Sequence, residues 1–292
     1  MTSQALVLVN PLSLARHGLR PAELEALFVR AGILAEVMPL PLGAALEPVR
    51  DRLQQSPPAL VVVAGGDGTI NEVLNMLALG RSTLGVLPLG TANDFARTLA
   101  LPLEIEGAIA RLAEGRERRI DVGEVDGYRF LNAAHLGLGV ETARLTIPAL
   151  KRLAGPVAYL VAAAMAWRRA RPIEMAIETP EKAWTMPAVQ LLVGHGRFFG
   201  GGFQIAPEAT LDDGLFDVHV LDWPLSFVEA FSWALSLKRG TLRKARGSVH
   251  FRTERLDVRL SRPVELNLDG ELLALGETLS FRLHRQALTV RV

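Results

Sequence analysis

Apolar residues follow two different rhythms along this chain. Over about the first 120 residues, unbroken apolar runs alternate with stretches spaced for helices. Residues 5–10 (ALVLVN), 59–64 (ALVVVA) and 84–89 (LGVLPL) read as buried strands. Residues 21–31 place Leu24, Leu27 and Phe28 at helical spacing and stop at Gly32. Further helices are expected over 70–79, 92–99 and 103–114, the last ended by Gly115. Continuous apolar strands between helices predict an α/β domain with a doubly wound parallel sheet.

Beyond Ile120 the rhythm shortens to a period of two. Two strands flank Asp126-Gly127, a hairpin signal. Strands are expected over 173–178, 184–193, 215–221, 247–252, 254–260, 263–268, 271–275, 278–283 and 287–292, interrupted by helices over about 142–170 and 224–238. This predicts a mainly antiparallel β-sandwich. The chain divides on this pattern into 1–122 and 123–292, and the pattern leaves open whether the last strand returns to the first domain.

Composition narrows the chemistry. The 292 residues suffice for about two domains with a substantial core. There is no cysteine, which excludes disulfides, thiolate metal sites, iron–sulfur clusters and a Cys nucleophile. Lys plus Arg is 32 and Asp plus Glu is 31, so the net charge of +1 argues against a nucleic-acid partner. The apolar run 5–9 is too short for a secretory segment. The run 153–167 is interrupted by Gly155-Pro156 and falls short of the ~20 apolar residues a membrane span needs. A cytoplasmic protein without a transmembrane segment is expected. His135 and His195 have no partner at metal-ligand spacing, and there is no Ser-centred nucleophile elbow.

Two loops carry the strongest chemical signal. In LVVVAGGDGTINEVLNML a strand runs into Gly65, Gly66, Asp67 and Gly68, and Thr69-x-x-Glu72 reads as a capping box that starts a helix. Glycines let a ligand approach the backbone, and unpaired N–H groups at a helix start suit a phosphate. LGVLPLGTANDFARTL repeats the logic with Gly90 and a second box, Thr91-x-x-Asp94. Both loops leave the C-terminal edge of a parallel sheet, so two helix N-termini are expected to converge on one anion. Asp67 and Asp94 make sense beside phosphate if a divalent cation lies between. Neither loop is a Walker A or a G-x-G-x-x-G fingerprint. Taken singly, each loop also reads as a tight turn followed by a cap.

The pair GGDGTINEVLN (65–75) and PLGTANDFART (88–98) resembles the bacterial diacylglycerol-kinase-type lipid kinases, in particular their YegS-like branch. The resemblance extends to VNP (9–11), FLNAAHLGLG (130–139), LKRLAGPVAYL (150–160), FFGGGFQIAPEATLDDGLFDV (198–218) and NLDGELL (267–273). It implies a diacylglycerol-kinase/NAD-kinase-like first domain and transfer of the γ-phosphoryl group of ATP to a lipid hydroxyl. Nucleotide contacts are implied at Asn10, Gly65, Gly66, Asp67, Gly68, Thr69, Ile70, Asn71, Glu72, Gly90, Thr91 and Asp94, with Mg²⁺ bridging the phosphates to acids such as Asp67.

NLDGELL alone reads as a hairpin around a type I′ Asp-Gly turn. The resemblance turns the tip into an acidic motif facing the phosphate site, with Glu271 as first candidate for the base and Asp269 as second. It likewise makes 209–215, otherwise an Asp-Gly turn, a structural metal loop. The Asp213 carboxylate and the carbonyls of Thr210 and Leu215 would offer oxygens to Mg²⁺ or Ca²⁺. Asp121 would join the acids around the nucleotide. Lipid substrate implies contact with a membrane surface, peripheral on its inner face. The acid-free stretch Lys238, Arg239, Arg243, Lys244, Arg246 and Arg252, and the group Arg168, Arg169, Arg171, could face anionic lipid or simply be solvated. Phe198, Phe199 and Phe203 could line an acyl cleft or fill core.

The chain departs from the family pattern in places. Leu12-Ser13-Leu14-Ala15-Arg16 stands where Ser-Gly-Lys-like residues are usual, leaving Arg16 or Arg20 to supply charge; Gly194-His195-Gly196 replaces a common Asn-Gly, and Pro39-Leu40 a threonine. Two rivals share parts of the pattern. NAD kinases have the GGDGT loop, but their Thr-Pro-Thr-Gly-Ser-like loop is not found in this chain. A non-catalytic nucleotide-binding regulator would not need the intact NLDGE.

Overall fold

A computed structural model describes residues 4–41, 46–145, 165, 167–223, 226–274 and 276–292. The first domain runs β1 (Ala5–Val9), α1 (Pro11–Arg16), α2 (Pro21–Arg30), β2 (Ala35–Pro39), α3 (Glu47–Gln55), β3 (Leu60–Gly65), α4 (Asp67–Met76), β4 (Thr83–Pro88), α5 (Asp94–Thr98), α6 (Ile105–Glu114) and β5 (Glu117–Val125). The four strands β2-β1-β3-β4 pair in parallel. Their continuous apolar runs follow from burial on both faces. Val7, Val9 and Val62 pack with Leu24, Phe28 and Leu112 on one side. Leu6, Leu8, Val61 and Val63 pack with Leu53, Ile70, Leu74 and Phe95 on the other.

Two helices here escape the sequence pattern. α1 forms because Pro11 occupies its first turn and the Asn10 side chain accepts from Leu12 N and Ser13 N. α3 (EPVRDRLQQ) buries only Val49 and Leu53, a stripe too thin to show as periodicity.

The second domain contains β6 (Tyr128–Phe130), β7 (Ala133–Gly137), α7 (Leu138–Leu145), β8 (Ile173–Glu178), β9 (Ala183–Ala188), β10 (Gln190–Gly194), β11 (Phe198–Phe199), β12 (Phe203–Gln204), β13 (Phe216–Leu221), α8 (Phe227–Lys238), β14 (Ser248–Thr253), β15 (Arg255–Leu260), β16 (Glu265–Leu268), β17 (Glu271–Ala274) and β18 (Thr278–Arg291). Of the helix expected over 142–170, the rest beyond 142–145, 165 and 167–170 lies outside the described residues, including the LKRLAGPVAYL segment. One antiparallel sheet has the order β14-β13-β10-β7-β16-β17. It packs through Leu136, Leu191, Phe216 and Leu266 against Ile177, Leu256, Val258 and Phe281 of β8, β15 and β18.

Two expected strands are redrawn. The single strand expected over 184–193 breaks at Val189, so that β9 pairs β8 in one sheet and β10 pairs β7 and β13 in the other. The strands expected over 278–283 and 287–292 are one strand with a register shift between His284 and Leu288, where Gln286 has φ 47°. Thr289 and Val290 of β18 pair in parallel with Thr83 and Leu84 of β4. The last strand thus extends the first domain's sheet, and one sheet runs through both halves of the molecule.

Candidate active site

The first glycine loop turns from β3 into α4 without an intervening residue beyond Gly66. Gly66 is the cap residue in extended conformation, and the helix starts at Asp67. The expected Thr69-x-x-Glu72 capping box is therefore corrected. Thr69 already lies in the first turn, where its hydroxyl accepts from Asn10 Nδ2 at 3.2 Å. Because no side chain caps this helix, the N–H groups of its first turn have no side-chain acceptor and are available to an anion.

The second loop is built differently. α5 starts at Asp94 after Asn93, which has φ 51°. The Asn93 amide closes a ring on Gly90, accepting from Gly90 N and donating to Gly90 O, both at 2.9 Å. The Thr91-x-x-Asp94 box is also corrected, and Thr91 is exposed. The α5 N–H groups are capped from the other loop. Asp67 accepts from Asp94 N at 3.1 Å and Phe95 N at 3.0 Å. Two open helix ends do not converge here; the acid of the first loop covers the start of the second helix. The loops touch backbone to backbone, and a Cβ on Gly90 would lie 2.4 Å from Gly66 Cα. Glycine is needed there for close approach, not for a turn.

Asp94 serves a third segment. Its carboxylate accepts from Gly201 N and Gly202 N, each at 2.8 Å. Burial, with the charge of Asp67 adding to it, pushes its pKa up against those two hydrogen bonds. Gly200, Gly201 and Gly202 all have positive φ, so the Gly-rich segment can present consecutive N–H groups to one carboxylate. It carries Phe199 and Phe203, half-buried beside the site with ring centroids 6.1 Å apart.

The acidic hairpin closes the site from the second domain. Asp269 (φ 48°) and Gly270 (φ 103°) form a two-residue turn between β16 and β17, with Leu268 opposite Glu271. Asp269 points inward. It accepts from Leu131 N at 2.6 Å, Asn132 N at 3.0 Å and Ala133 N at 2.9 Å. Burial nonetheless pushes its pKa up to about 6. Glu271 points the other way, over the start of α4, where its Oε1 lies 3.2 Å from the position a Cβ on Gly68 would take. Partial burial, then the charge of Glu72, raises its pKa; burial raises that of Glu72.

Other candidate residues are framework. Ile70 is buried in the core and its N–H bonds Gly66 O. Asn71 donates to Arg129 O at 3.0 Å and to Asp269 Oδ2 at 3.4 Å, linking α4 to the hairpin. Asn75, which sequence reasoning passed over, accepts from Arg129 N at 2.9 Å and donates to Arg129 O at 3.1 Å. Only tertiary pairing reveals that role. Asp121 is buried and accepts from Gly214 N at 2.8 Å and Gln286 N at 2.7 Å. In the 209–215 loop, Asp213 lies between Thr210 and Leu215, accepts from Leu215 N at 3.0 Å, and pairs with Arg252. Among the described residues, no three His, Asp or Glu side chains gather as a metal cluster.

The basic stretch at 238–252 is less bare than its sequence. Arg243 pairs with Glu208 through two 3.0 Å bonds, and Arg252 with Asp213 and Asp217. No helix among the described residues is long and apolar enough to cross a membrane.

A parallel α/β domain joined to an antiparallel sandwich is the fold that this chain shares with solved diacylglycerol kinase and NAD kinase structures. Residues 4–125 match the diacylglycerol kinase catalytic domain, and residues 134–292 match the YegS C-terminal NAD kinase beta sandwich-like domain. The chain belongs to the YegS-like branch of the diacylglycerol-kinase-type lipid kinases. It is 38% identical over 236 residues to the probable lipid kinase YegS-like of Pseudomonas aeruginosa PAO1, spanning 80% of this chain and 76% of that protein. It is 37% identical over 215 residues to a diacylglycerol kinase of Bacillus subtilis, spanning 73% and 71%. A diacylglycerol kinase crystal structure from Bacillus anthracis shares the fold with TM-score 0.77 at 24% identity, over 99% of this chain and 96% of that one. An NAD kinase from Archaeoglobus fulgidus in complex with ATP shares it more distantly, with TM-score 0.52 at 11% identity over 99% and 93%.

Proposed function

We propose that this chain transfers the γ-phosphoryl group of ATP to the hydroxyl of a lipid at a membrane surface, working as a cytoplasmic peripheral enzyme. The observation that carries the reading is the Glu271 carboxylate standing over the open start of α4. The α4 N–H groups receive nucleotide phosphate. Glu271 accepts the hydroxyl proton as the alcohol oxygen attacks the γ-phosphorus, and the bond to the ADP oxygen breaks. Asp269 holds the hairpin in place through three backbone N–H groups and leaves the base role to Glu271.

Each Asp67 oxygen accepts one backbone N–H, which leaves lone pairs for Mg²⁺ carried in with the nucleotide. That ion, when bound, neutralises phosphate charge. Phe199 and Phe203 offer apolar surface beside the cleft to the acceptor.

The test is incubation of the protein with labelled ATP, Mg²⁺, NAD and a panel of lipids including diacylglycerol, phosphatidylglycerol and sphingoid bases, followed by organic extraction. Label in the organic phase is expected. Label confined to NADP would replace this reading with an NAD kinase, and no transfer would leave a nucleotide-binding regulator.

A further inference from the structure

The family resemblance implies a divalent-cation site in the 209–215 loop, yet the loop's negative charge is already met from within the chain. Asp213 Oδ1 accepts from Leu215 N at 3.0 Å, and Oδ2 accepts from the Arg252 guanidinium. The Nε of that same guanidinium reaches Asp217 Oδ2 at 3.4 Å, so Arg252 bridges two carboxylates. Its placement is built into the sheet, because Arg252 of β14 stands directly opposite Asp217 of β13 in the strand register. Asp217 also pairs with His250 Nε2 at 2.9 Å.

The rest of the loop is tied in the same manner. Asp212 pairs with Arg118 at 2.8 Å, and Gly214 donates its N–H to the buried Asp121. A Cβ on Gly214 would lie 2.8 Å from Cζ of Arg285, so a third guanidinium fills the space a side chain would take. Three guanidinium groups therefore face Asp212-Asp213-Gly214. A divalent ion entering here would need Asp213 as its carboxylate ligand and would meet those like charges.

We propose that Arg252 supplies the cationic charge of the 209–215 loop in place of a divalent metal, and that the loop binds Mg²⁺ or Ca²⁺ only when Arg252 is removed. The guanidinium satisfies two carboxylates with directed hydrogen bonds and needs no free ion. The inference is independent of the kinase reading, and its test uses neither nucleotide nor lipid.

The experiment is thermal unfolding of the full chain in EDTA, in millimolar Mg²⁺ and in millimolar Ca²⁺. Wild type is expected to unfold at one temperature in all three. Arg252→Gln is expected to unfold earlier in EDTA and to regain roughly 3 °C or more with cation. The double variant Arg252→Gln, Asp213→Asn is expected to lose that recovery. A cation-dependent shift in wild type that Asp213→Asn abolishes would overturn the proposal, as would an Arg252→Gln protein indifferent to cation. If Arg252→Gln does not fold, calorimetric titration of wild type and Asp213→Asn with Ca²⁺ decides. Saturable binding that needs Asp213 overturns the proposal, and its absence upholds it.

Discussion

The two glycine loops look alike in sequence and do opposite things. Each runs from a buried strand into a helix, and each offers Gly, Thr and an acid three residues after the Thr. The first leaves the start of α4 without a side-chain cap. The second has its helix start covered by Asp67 and its own acid, Asp94, spent on Gly201 and Gly202. The difference teaches that the loops form a relay. Acid from the first fixes the second, acid from the second fixes the Gly-rich segment, and only one helix end remains for an anion. An i-to-i+3 motif states which groups are available locally, whereas the partner is chosen by which backbone N–H groups the fold brings within hydrogen-bond distance.

The largest effect is expected where the open end of α4 meets the hairpin. Glu271→Gln should lower lipid phosphorylation by roughly 10²–10⁴-fold with ATP binding retained, because it removes a base and leaves the helix N-terminus intact. Asp269→Asn serves as the contrast. It should lower thermal stability as well as turnover, since its carboxylate accepts three backbone N–H groups. Equal turnover in Glu271→Gln and wild type would move the chemistry away from the first loop.

Next comes the relay itself. Asp67→Ala strips α5 of its cap, which should cost about 1–2 kcal/mol of stability. Calorimetric unfolding measures that directly. The same change should raise the KM for Mg-ATP. A stable variant with unaltered nucleotide use would show that the loops are independent. Gly90→Ala is the steric counterpart. Its Cβ would sit 2.4 Å from Gly66 Cα, against 3.1 Å for a Cβ on Gly66 from Gly90 Cα. Gly90→Ala should therefore lower the unfolding temperature more than Gly66→Ala; the reverse order would mean the loops are not in backbone contact.

Much of this scaffold is legible in the sequence alone. Unbroken apolar runs required a sheet buried on both faces, and Asp-Gly between alternating residues required the hairpin that carries Glu271. What was not legible is long-range. Thr69 and Thr91 look like caps because side-chain spacing is the only local cue, yet the cap of α4 is a glycine and that of α5 involves an acid 27 residues earlier. Arg252 looks like part of a solvated basic run until β13 and β14 pair and set it against Asp217. The break at Val189 is hidden for the same reason, since a strand that changes sheets keeps its apolar residues throughout.

The smallest predicted effect is also the most specific to the first loop. Burial and the charge of Glu72 both hold the Glu271 pKa above the ordinary glutamate value. A base works only when deprotonated, so kcat/KM should fall as pH drops through that raised pKa. Glu72→Gln removes one of the two causes while leaving burial in place. The Glu271 pKa should then move down, and the acid limb of the pH profile should shift to lower pH. The second loop supplies the control. Asp94 also has a raised pKa, but it serves as an acceptor for Gly201 and Gly202 and not as a base. The acid limb should thus follow the charge at position 72. A limb that stays in place in Glu72→Gln would mean that the titrating group is not the carboxylate over Gly68. The open loop would then lose its distinction from the closed one.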